Sequence, residues 1–323
     1  MYTHERPHKN DTPLCHDGFV ELEGKIQGIV SDGRSDEEFF ARLLARCAFP
    51  PPGTEINCAV SGGADSLALL ALAVRAGCRP TAIHVDHGLR EGSEREAQVV
   101  ERAAKQLGAK FRSERIDLCP GPNLEARARA ARYAVLPKDV ATGHTADDQA
   151  ETVLLNLLRG SGLDGLVGMR AGFRHPILGL RRYETEEVCR RYGFLPLHDP
   201  SNDDPAFLRN RVRHQLLPLC SEIAKRDVVP LLARQAALLA EDADLLNDLA
   251  KEVDATDVKM LRTVSDTLAR RALRIWIRQE AGYPPSAAAV DRVLKVAQGK
   301  ARGTDLKGSL HIHRSKGRLK LQK

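Results

Sequence analysis

The chain of 323 residues lacks the cysteine spacing of a metal or cluster protein. Its seven cysteines, at positions 15, 47, 58, 78, 119, 189 and 220, are odd in number and nowhere form CxxC. That argues against a disulfide framework, a zinc ribbon and an iron–sulfur site, and predicts reduced thiols that mostly fill cores. Long apolar runs are missing as well. The longest uncharged stretch near the apolar maximum, Ser66 to Val74, falls far short of the ~20 residues a membrane span needs. Residues 1–34 hold no apolar block of roughly 7–15 residues behind a basic start, as a secretory signal would. A cytoplasmic location without a membrane partner is therefore expected. There is no internal repeat, no low-complexity tract and no GxxxxGK[ST], which argues against a kinase or GTPase of the Walker type.

What is present suits a globular protein. With 42% hydrophobic and 28% charged residues the chain can bury a sizeable core, and its length suggests about two domains. A net charge of +6 permits a polyanionic partner without requiring one. Its distribution says more: from Gly299 to Lys323 there are eight Lys or Arg against one Asp. Residues 1–34 contain His4, His8, Cys15 and His16 but no periodicity, and are expected to form a disordered extension. Apolar Phe39, Phe40, Leu43 and Leu44 then predict a helix from Asp36 that ends before Pro50-Pro51-Pro52.

Beyond it, short strands are predicted at 56–60, 81–85, 110–116 and 140–142. Helices are predicted at 66–76, 93–107, 123–135 and 146–159. This alternation implies βαβ crossovers, an α/β fold with a parallel sheet of five strands or so sandwiched by helices, and ligand binding at the carboxyl ends of the strands. Helical patterns follow at 184–192, 207–219, 229–253 and 267–280, so a smaller helical domain is expected over 221–323. The last twenty residues alternate with period two and predict a basic terminal β-hairpin.

Five segments carry polar chemistry. Ser61-Gly62-Gly63-Ala64-Asp65-Ser66 lies between a strand and a helix, where glycines turn backbone N–H groups toward one point and the helix offers its positive end to phosphate. His84-Val85-Asp86-His87-Gly88-Leu89-Arg90 ends the next strand, a polar turn or a functional segment; its two histidines and Asp could suggest a metal site, but no third clustered ligand supports one. The helix Asn123 to Tyr133 bears Glu125, Arg127, Arg129 and Arg132, a solvated face or the positive charge a triphosphate needs. Gly143-His144-Thr145-Ala146-Asp147-Asp148-Gln149-Ala150-Glu151 leads into a helix with Ala150, Val153, Leu154, Leu157 and Leu158 as its expected buried stripe. Three acids within five residues exceed what capping needs and would suit a cationic substrate, magnesium, or a carboxylate that deprotonates an amine. Gly160, Gly162 and Gly165 satisfy GxGxxG, but a helix precedes them, so a flexible loop at a cleft mouth fits better than a dinucleotide site. Last, His198 to Asp204 precedes Arg209, Arg211 and Arg213, either mere surface or contacts to RNA phosphates.

SGGADS behind a buried strand resembles the signature of the PP-loop ATP pyrophosphatases, which cleave ATP between its α- and β-phosphates. With HVDHGLR, NLEARARAARY, GHTADDQAETVLLNLLRGSGLDGL and DPSNDDPAFLRNRVR following in order, residues 36–220 are similar to the tRNA(Ile)-lysidine synthetase family. Members adenylate carbon 2 of the wobble cytidine in an isoleucine tRNA with a CAU anticodon, then let the ε-amine of free L-lysine displace AMP. The resemblance implies a PP-loop ATP-binding catalytic domain over 35–220, with ATP at Ser61, Gly62, Gly63, Ala64, Asp65 and Ser66, lined also by Asp86 and His87. It implies Mg2+ at Asp65, and lysine binding and activation at Asp148 and Glu151 with Asp147 nearby. Arg127 would contact the activated intermediate, and Arg209, Arg211 and Arg213 the tRNA. Many members carry two further C-terminal domains; here the segment 221–323, with its basic hairpin, is expected to bind tRNA. A homodimer is compatible with the sequence. The alternatives are a PP-loop tRNA thiolation enzyme, whose cluster chemistry wants closely spaced cysteines, and a non-catalytic RNA-binding protein on the same fold.

Overall fold

The computed structural model describes residues 35–86, 93–116, 127, 130, 131 and 134–322. By its contacts the chain divides into residues 1–42 and residues 43–323. Helix α1 (Asp36–Leu44) opens on Asp36, Glu37 and Glu38, acids that the positive end of a helix favours. The Phe39 and Phe40 rings meet edge to face, 5.1 Å between centroids.

In the larger unit, β1 (Glu55–Ala59), β2 (Arg79–Asp86), β3 (Lys110–Arg115) and β4 (Ala141–Thr142) form one parallel sheet in the order β3-β2-β1-β4. Ala59 stands in register with Ile83 on one side and with Thr142 on the other. The crossovers are α2 (Ala64–Arg75) and α3 (Ser93–Gln106), while α4 (Ala146–Leu158) follows β4. Residues 66–73 of α2 are buried without interruption, as a helix enclosed on all sides requires. Because the chain moves outward from β1 through β2 to β3 and then returns to β4 on the other side, a crevice opens at the carboxyl ends of β1 and β4.

The sheet has four described strands where about five were expected. Beyond β4 runs an irregular segment instead: Thr142 N–H donates to Arg174 O and Ala146 N–H to Leu180 O, at 2.9 and 2.8 Å. These bonds cover an edge that would otherwise expose unpaired backbone. The expected stripe on α4 also needs correction. Ala150, Val153 and Leu154 are buried, but Leu157 and Leu158 are 57% and 60% exposed, since the last turn of α4 runs past the packed surface. Asp148, Gln149, Glu151 and Leu155 are buried instead.

Where a glycine loop was expected, Leu163–Leu166 closes into the short helix α5. Helix α6 (Arg182–Tyr192) follows. The helix expected at 207–219 is three pieces: α7 (Leu208–Arg211), a π-helical turn (Val212–Leu216) and α8 (Leu217–Ala224). The widening has a local cause. Leu217 N–H reaches back to Val212 O, and Pro218 beside it has no N–H to continue an α-helical ladder.

The remaining chain is α9 (Val229–Lys251), α10 (Val258–Thr263), α11 (Asp266–Ala281), α12 (Ala287–Ala297) and a three-stranded antiparallel sheet. In it, the expected hairpin β6–β7 (Leu310–Ser315, Arg318–Gln322) gains β5 (Gly303–Leu306) as a third strand. Leu273, Ile277, Val293, Ile312 and Leu319 share one buried core there, joining α11 and α12 to the sheet. Among the described residues Cys47, Cys58, Cys78, Cys189 and Cys220 are free, and burial pushes the Cys58 thiol up to about 12. No helix among the described residues is long and apolar enough to cross a membrane.

One glycine fixes how the crevice closes. A Cβ on Gly143, just after β4, would lie 2.7 Å from Asp65 O and 2.9 Å from Ser66 N, so the loop after β4 rests directly on the first turn of α2. Gly143→Ala is expected to cost about 1–3 kcal/mol by overpacking, measured as a drop in the urea midpoint; an unchanged midpoint would show that the two loops do not need this contact.

Candidate active site

Two loops meet at the crevice. After β1, Gly62 adopts φ +89°, a conformation that favours glycine. Its carbonyl accepts the Leu197 N–H at 2.9 Å. The Ser66 hydroxyl ties the loop to itself, donating to Gly63 O at 2.8 Å and accepting from Ser61 N–H at 3.1 Å. Gly63 caps α2 without a side chain, which leaves the positive helix end open toward the crevice. A cradle of this kind receives phosphate.

After β4, Thr145 caps α4: the Asp148 carboxylate accepts the Thr145 N–H at 2.9 Å and its hydroxyl at 3.0 Å, both on Oδ2. This is a capping box, but it uses one oxygen of Asp148 only. Oδ1 of Asp148 accepts Arg209 Nη2 at 2.9 Å and Arg182 Nη2 at 3.4 Å. Glu151, with no exposed side-chain surface, accepts Arg209 Nε at 2.7 Å on Oε2 and Arg213 Nε at 2.7 Å on Oε1. Burial raises Asp148, but the Arg182 and Arg209 guanidinium groups and the Thr145 N–H outweigh it and hold this carboxyl below its usual range.

Asp65 completes the cluster from the phosphate loop. Its Oδ1 accepts the Thr185 hydroxyl and its Oδ2 lies 3.5 Å from Arg182 Nε. Burial pushes Asp65 up to about 6; Thr185 and Arg182 pull the other way, and Asp148 adds to the rise. Arg182 therefore lies between the carboxylate of the phosphate loop and the pair on α4.

The structure brings together Ser61, Gly62, Gly63, Ala64, Asp65 and Ser66 with Asp148, Glu151, Arg209 and Arg213. Asp147 turns away from that pair: it accepts Arg181 Nε and Nη2, each at 3.1 Å, and the Arg182 N–H at 2.9 Å, so it anchors the start of α6. Arg209 and Arg213 point at the buried acids, whereas Arg211 is exposed. Asp86 ends β2, half-buried, and its carbonyl accepts the Ile116 N–H. Arg127 is half-buried in a stretch described only in part, and His87, Arg129 and Arg132 lie outside the described residues. His84 is a core residue, its Nδ1 at 3.1 Å from Val60 O. No group of three or more His, Cys, Asp or Glu able to hold a metal occurs among the described residues.

Several participants were missed. Arg181 and Arg182 occupy the N-cap and first position of α6, where cations oppose the helix dipole. That anomaly was a readable signal that acids stand opposite them. Gln149 crosslinks α4 to the segment after α5, donating to Val167 O and Met169 O and accepting from Met169 N–H. His175 joins His144 around the Thr142 hydroxyl, at 2.9 and 2.7 Å.

Two family models match the chain. One described as a PP-loop domain covers residues 36–220, and one described as the TilS substrate binding domain covers residues 257–319. The tRNA(Ile)-lysidine synthase of Nocardia farcinica is 38% identical over 297 residues, 85% of this chain and 93% of that protein. The tRNA(Ile)-lysidine synthase of Thermobifida fusca is 38% identical over 83% of this chain and 92% of its own, and that of Rhodococcus erythropolis 41% over 71% and 75%. Among solved structures, the U34-tRNA thiolase NcsA of Methanococcus maripaludis superposes with a TM-score of 0.51 at 14% identity, over 64% of this chain and 79% of its own, which is a likeness of fold.

The Asp65 carboxyl generates a pH prediction. Its folded-state value near 6 lies above the ordinary 3.8, so between those values the native state binds more protons than the unfolded chain. Stability from this group accordingly falls as pH rises through that window, and the whole cost is present above it. Asp65→Asn should raise stability at pH 7 by about 1–3 kcal/mol, with the gain in Tm shrinking toward pH 4. A gain independent of pH would contradict this account.

Proposed function

The chain belongs to the tRNA(Ile)-lysidine synthase family, and we propose that its crevice adenylates the wobble cytidine of an isoleucine tRNA and joins free L-lysine to carbon 2. The observation that carries this reading is the meeting, at one switch point, of a phosphate cradle with a buried carboxylate pair surrounded by guanidinium groups. ATP lies with its phosphates on the Ser61–Ser66 loop, and the base activated by AMP transfer faces α4. Pyrophosphate leaves on the loop side, where the start of α2 stabilises its charge.

Lysine arrives as a cation and attacks as a neutral amine. Asp148, held below the ordinary carboxyl range, stays anionic and anchors the ammonium. Glu151 is bound through side chains, so it can exchange a guanidinium for an ammonium without breaking a backbone hydrogen bond. The carboxylate pair takes one proton from the ammonium to give the neutral amine; as its lone pair forms the C–N bond, AMP leaves with the electron pair of the C–O bond and the second proton of the nitrogen passes to the departing AMP phosphate. Asp65 is the residue that would hold Mg2+: burial makes its charge costly, and a divalent cation beside it would relieve that cost. When bound, the ion supplies positive charge to the departing pyrophosphate.

The tRNA body lies on the substrate-binding region, where Lys316 and Lys320 are exposed on the terminal sheet. Radiolabelled lysine, ATP, magnesium and a CAU-anticodon tRNA transcript test the reading directly. Label is expected on the transcript with the unaltered protein and not on one altered at the wobble cytidine. Asp148→Asn and Glu151→Gln should each lower incorporation by about 10²-fold or more. AMP release without label on RNA would keep the nucleotide site and reject lysine as the nucleophile.

A further inference from the structure

The lysine-binding acids assigned above are already engaged on every oxygen. A carboxylate offers about four acceptor positions. On Asp148, Oδ2 takes the two Thr145 donors and Oδ1 takes Arg182 and Arg209. On Glu151, Oε1 accepts Arg213 Nε at 2.7 Å with Arg182 Nη2 as an ion-pair neighbour at 3.5 Å, while Oε2 accepts Arg209 Nε at 2.7 Å and Arg213 Nη2 at 3.2 Å. The charges match too: Asp65, Asp148 and Glu151 face Arg182, Arg209 and Arg213. An incoming ammonium would find every oxygen of both acids already engaged by a guanidinium or by Thr145, and would leave a buried excess of positive charge, which is costly. One guanidinium has to withdraw.

Arg209 is the one placed to do so. Its side chain is 38% exposed, against 26% for Arg182 and 22% for Arg213. It takes one position on each acid, so its departure frees Asp148 Oδ1 and Glu151 Oε2 together, as a bridging ammonium needs. It also sits on a helix with a second face. Across from Arg209 and Arg213, a cleft of about 200 Å³ is lined by Arg211, His214, Gln215 and Asn210 with Asp203 and Pro205. The π turn between the two helical pieces is the kind of irregular register found at functional sites.

We infer that Arg209 occupies the place of the substrate ammonium, and that RNA engaging the outer face of the same helix draws it away, so that lysine is admitted after tRNA. The inference rests on the assignment of Asp148 and Glu151 as the lysine site. A phosphate near Arg211 and Arg209 offers the guanidinium an alternative partner of equal charge, and the exchange keeps the buried cluster neutral. The site thereby selects against lysine binding in the absence of the RNA to be modified.

Titration calorimetry of L-lysine into the full chain without ATP, with and without the CAU-anticodon transcript, tests this. The transcript should tighten lysine binding about tenfold or more, a usual size for coupled sites. Arg209→Ala should bind lysine without RNA as tightly as the unaltered protein does with it, a gain that structural damage would not produce. Arg209→Lys, whose point charge cannot fork across both acids, should fall between the two and serves if the alanine variant does not fold. Arg211→Gln should reduce the effect of the transcript. Lysine affinity indifferent to both the transcript and residue 209 would overturn the inference while keeping the lysine site. No lysine binding in any arm would overturn the site assignment, and the inference with it.

Discussion

The neutrality of one half-buried cluster governs the architecture of the crevice. Asp65 comes from the first turn of α2, Asp148 and Glu151 from α4, Arg182 from α6, and Arg209 and Arg213 from the interrupted helix that follows. Four segments distant in sequence are held in place by pairing three carboxylates with three guanidinium groups. Such a cluster contributes little net stability, since desolvation offsets attraction, but removing Asp148 or Glu151, the acids that two or more guanidinium groups share, leaves unpaired charge and costs about 3–5 kcal/mol. Its value is therefore specificity of arrangement. It also stores chemistry, because the groups that hold the crevice in register are the ones that would handle a cation and a developing negative charge.

The fold makes this meeting inevitable. A parallel sheet whose order reverses between β1 and β4 parts the loops leaving those two strands, and the crevice between them is where ligands bind in such sheets. The closeness is set by Gly143, whose missing side chain lets the second loop lie on the first turn of α2. Arg271 ties the short helix α5 to α9, donating to Asp164 at 2.8 Å and to Ala243 O at 3.1 Å. The region after α4 and the C-terminal helices are in this way bonded to each other.

Much of this was legible in the sequence. Strand and helix alternation placed β1 to β4 and α2 to α4 within a few residues, because buried strands and amphipathic helices differ in period and are punctuated by glycine and proline. The motifs located Asp65, Asp148 and Glu151, and charge patterning flagged Arg209 and Arg213. What stayed hidden was partnership. Nothing local to a basic helix reveals that Arg209 and Arg213 pair with acids on another element, and the pairing of Asp147 with Arg181 joins residues 34 apart. Leu157 and Leu158 fit the period of a buried stripe, but periodicity does not say where the packed surface ends. The third strand of the terminal sheet escaped notice because Gly303-Thr304-Asp305-Leu306 is short and carries little alternation.

The central claim is that Asp148 and Glu151 receive the ε-ammonium of lysine in the place that Arg209 fills in the free protein. A crystal structure of the protein with tRNA, L-lysine and a non-hydrolysable ATP analogue tests it most directly. The account predicts the ε-nitrogen within about 3.2 Å of both Asp148 Oδ1 and Glu151 Oε2, with the Arg209 guanidinium turned toward RNA phosphate. An ε-nitrogen bound elsewhere, with Arg209 still bridging the two acids, would contradict it.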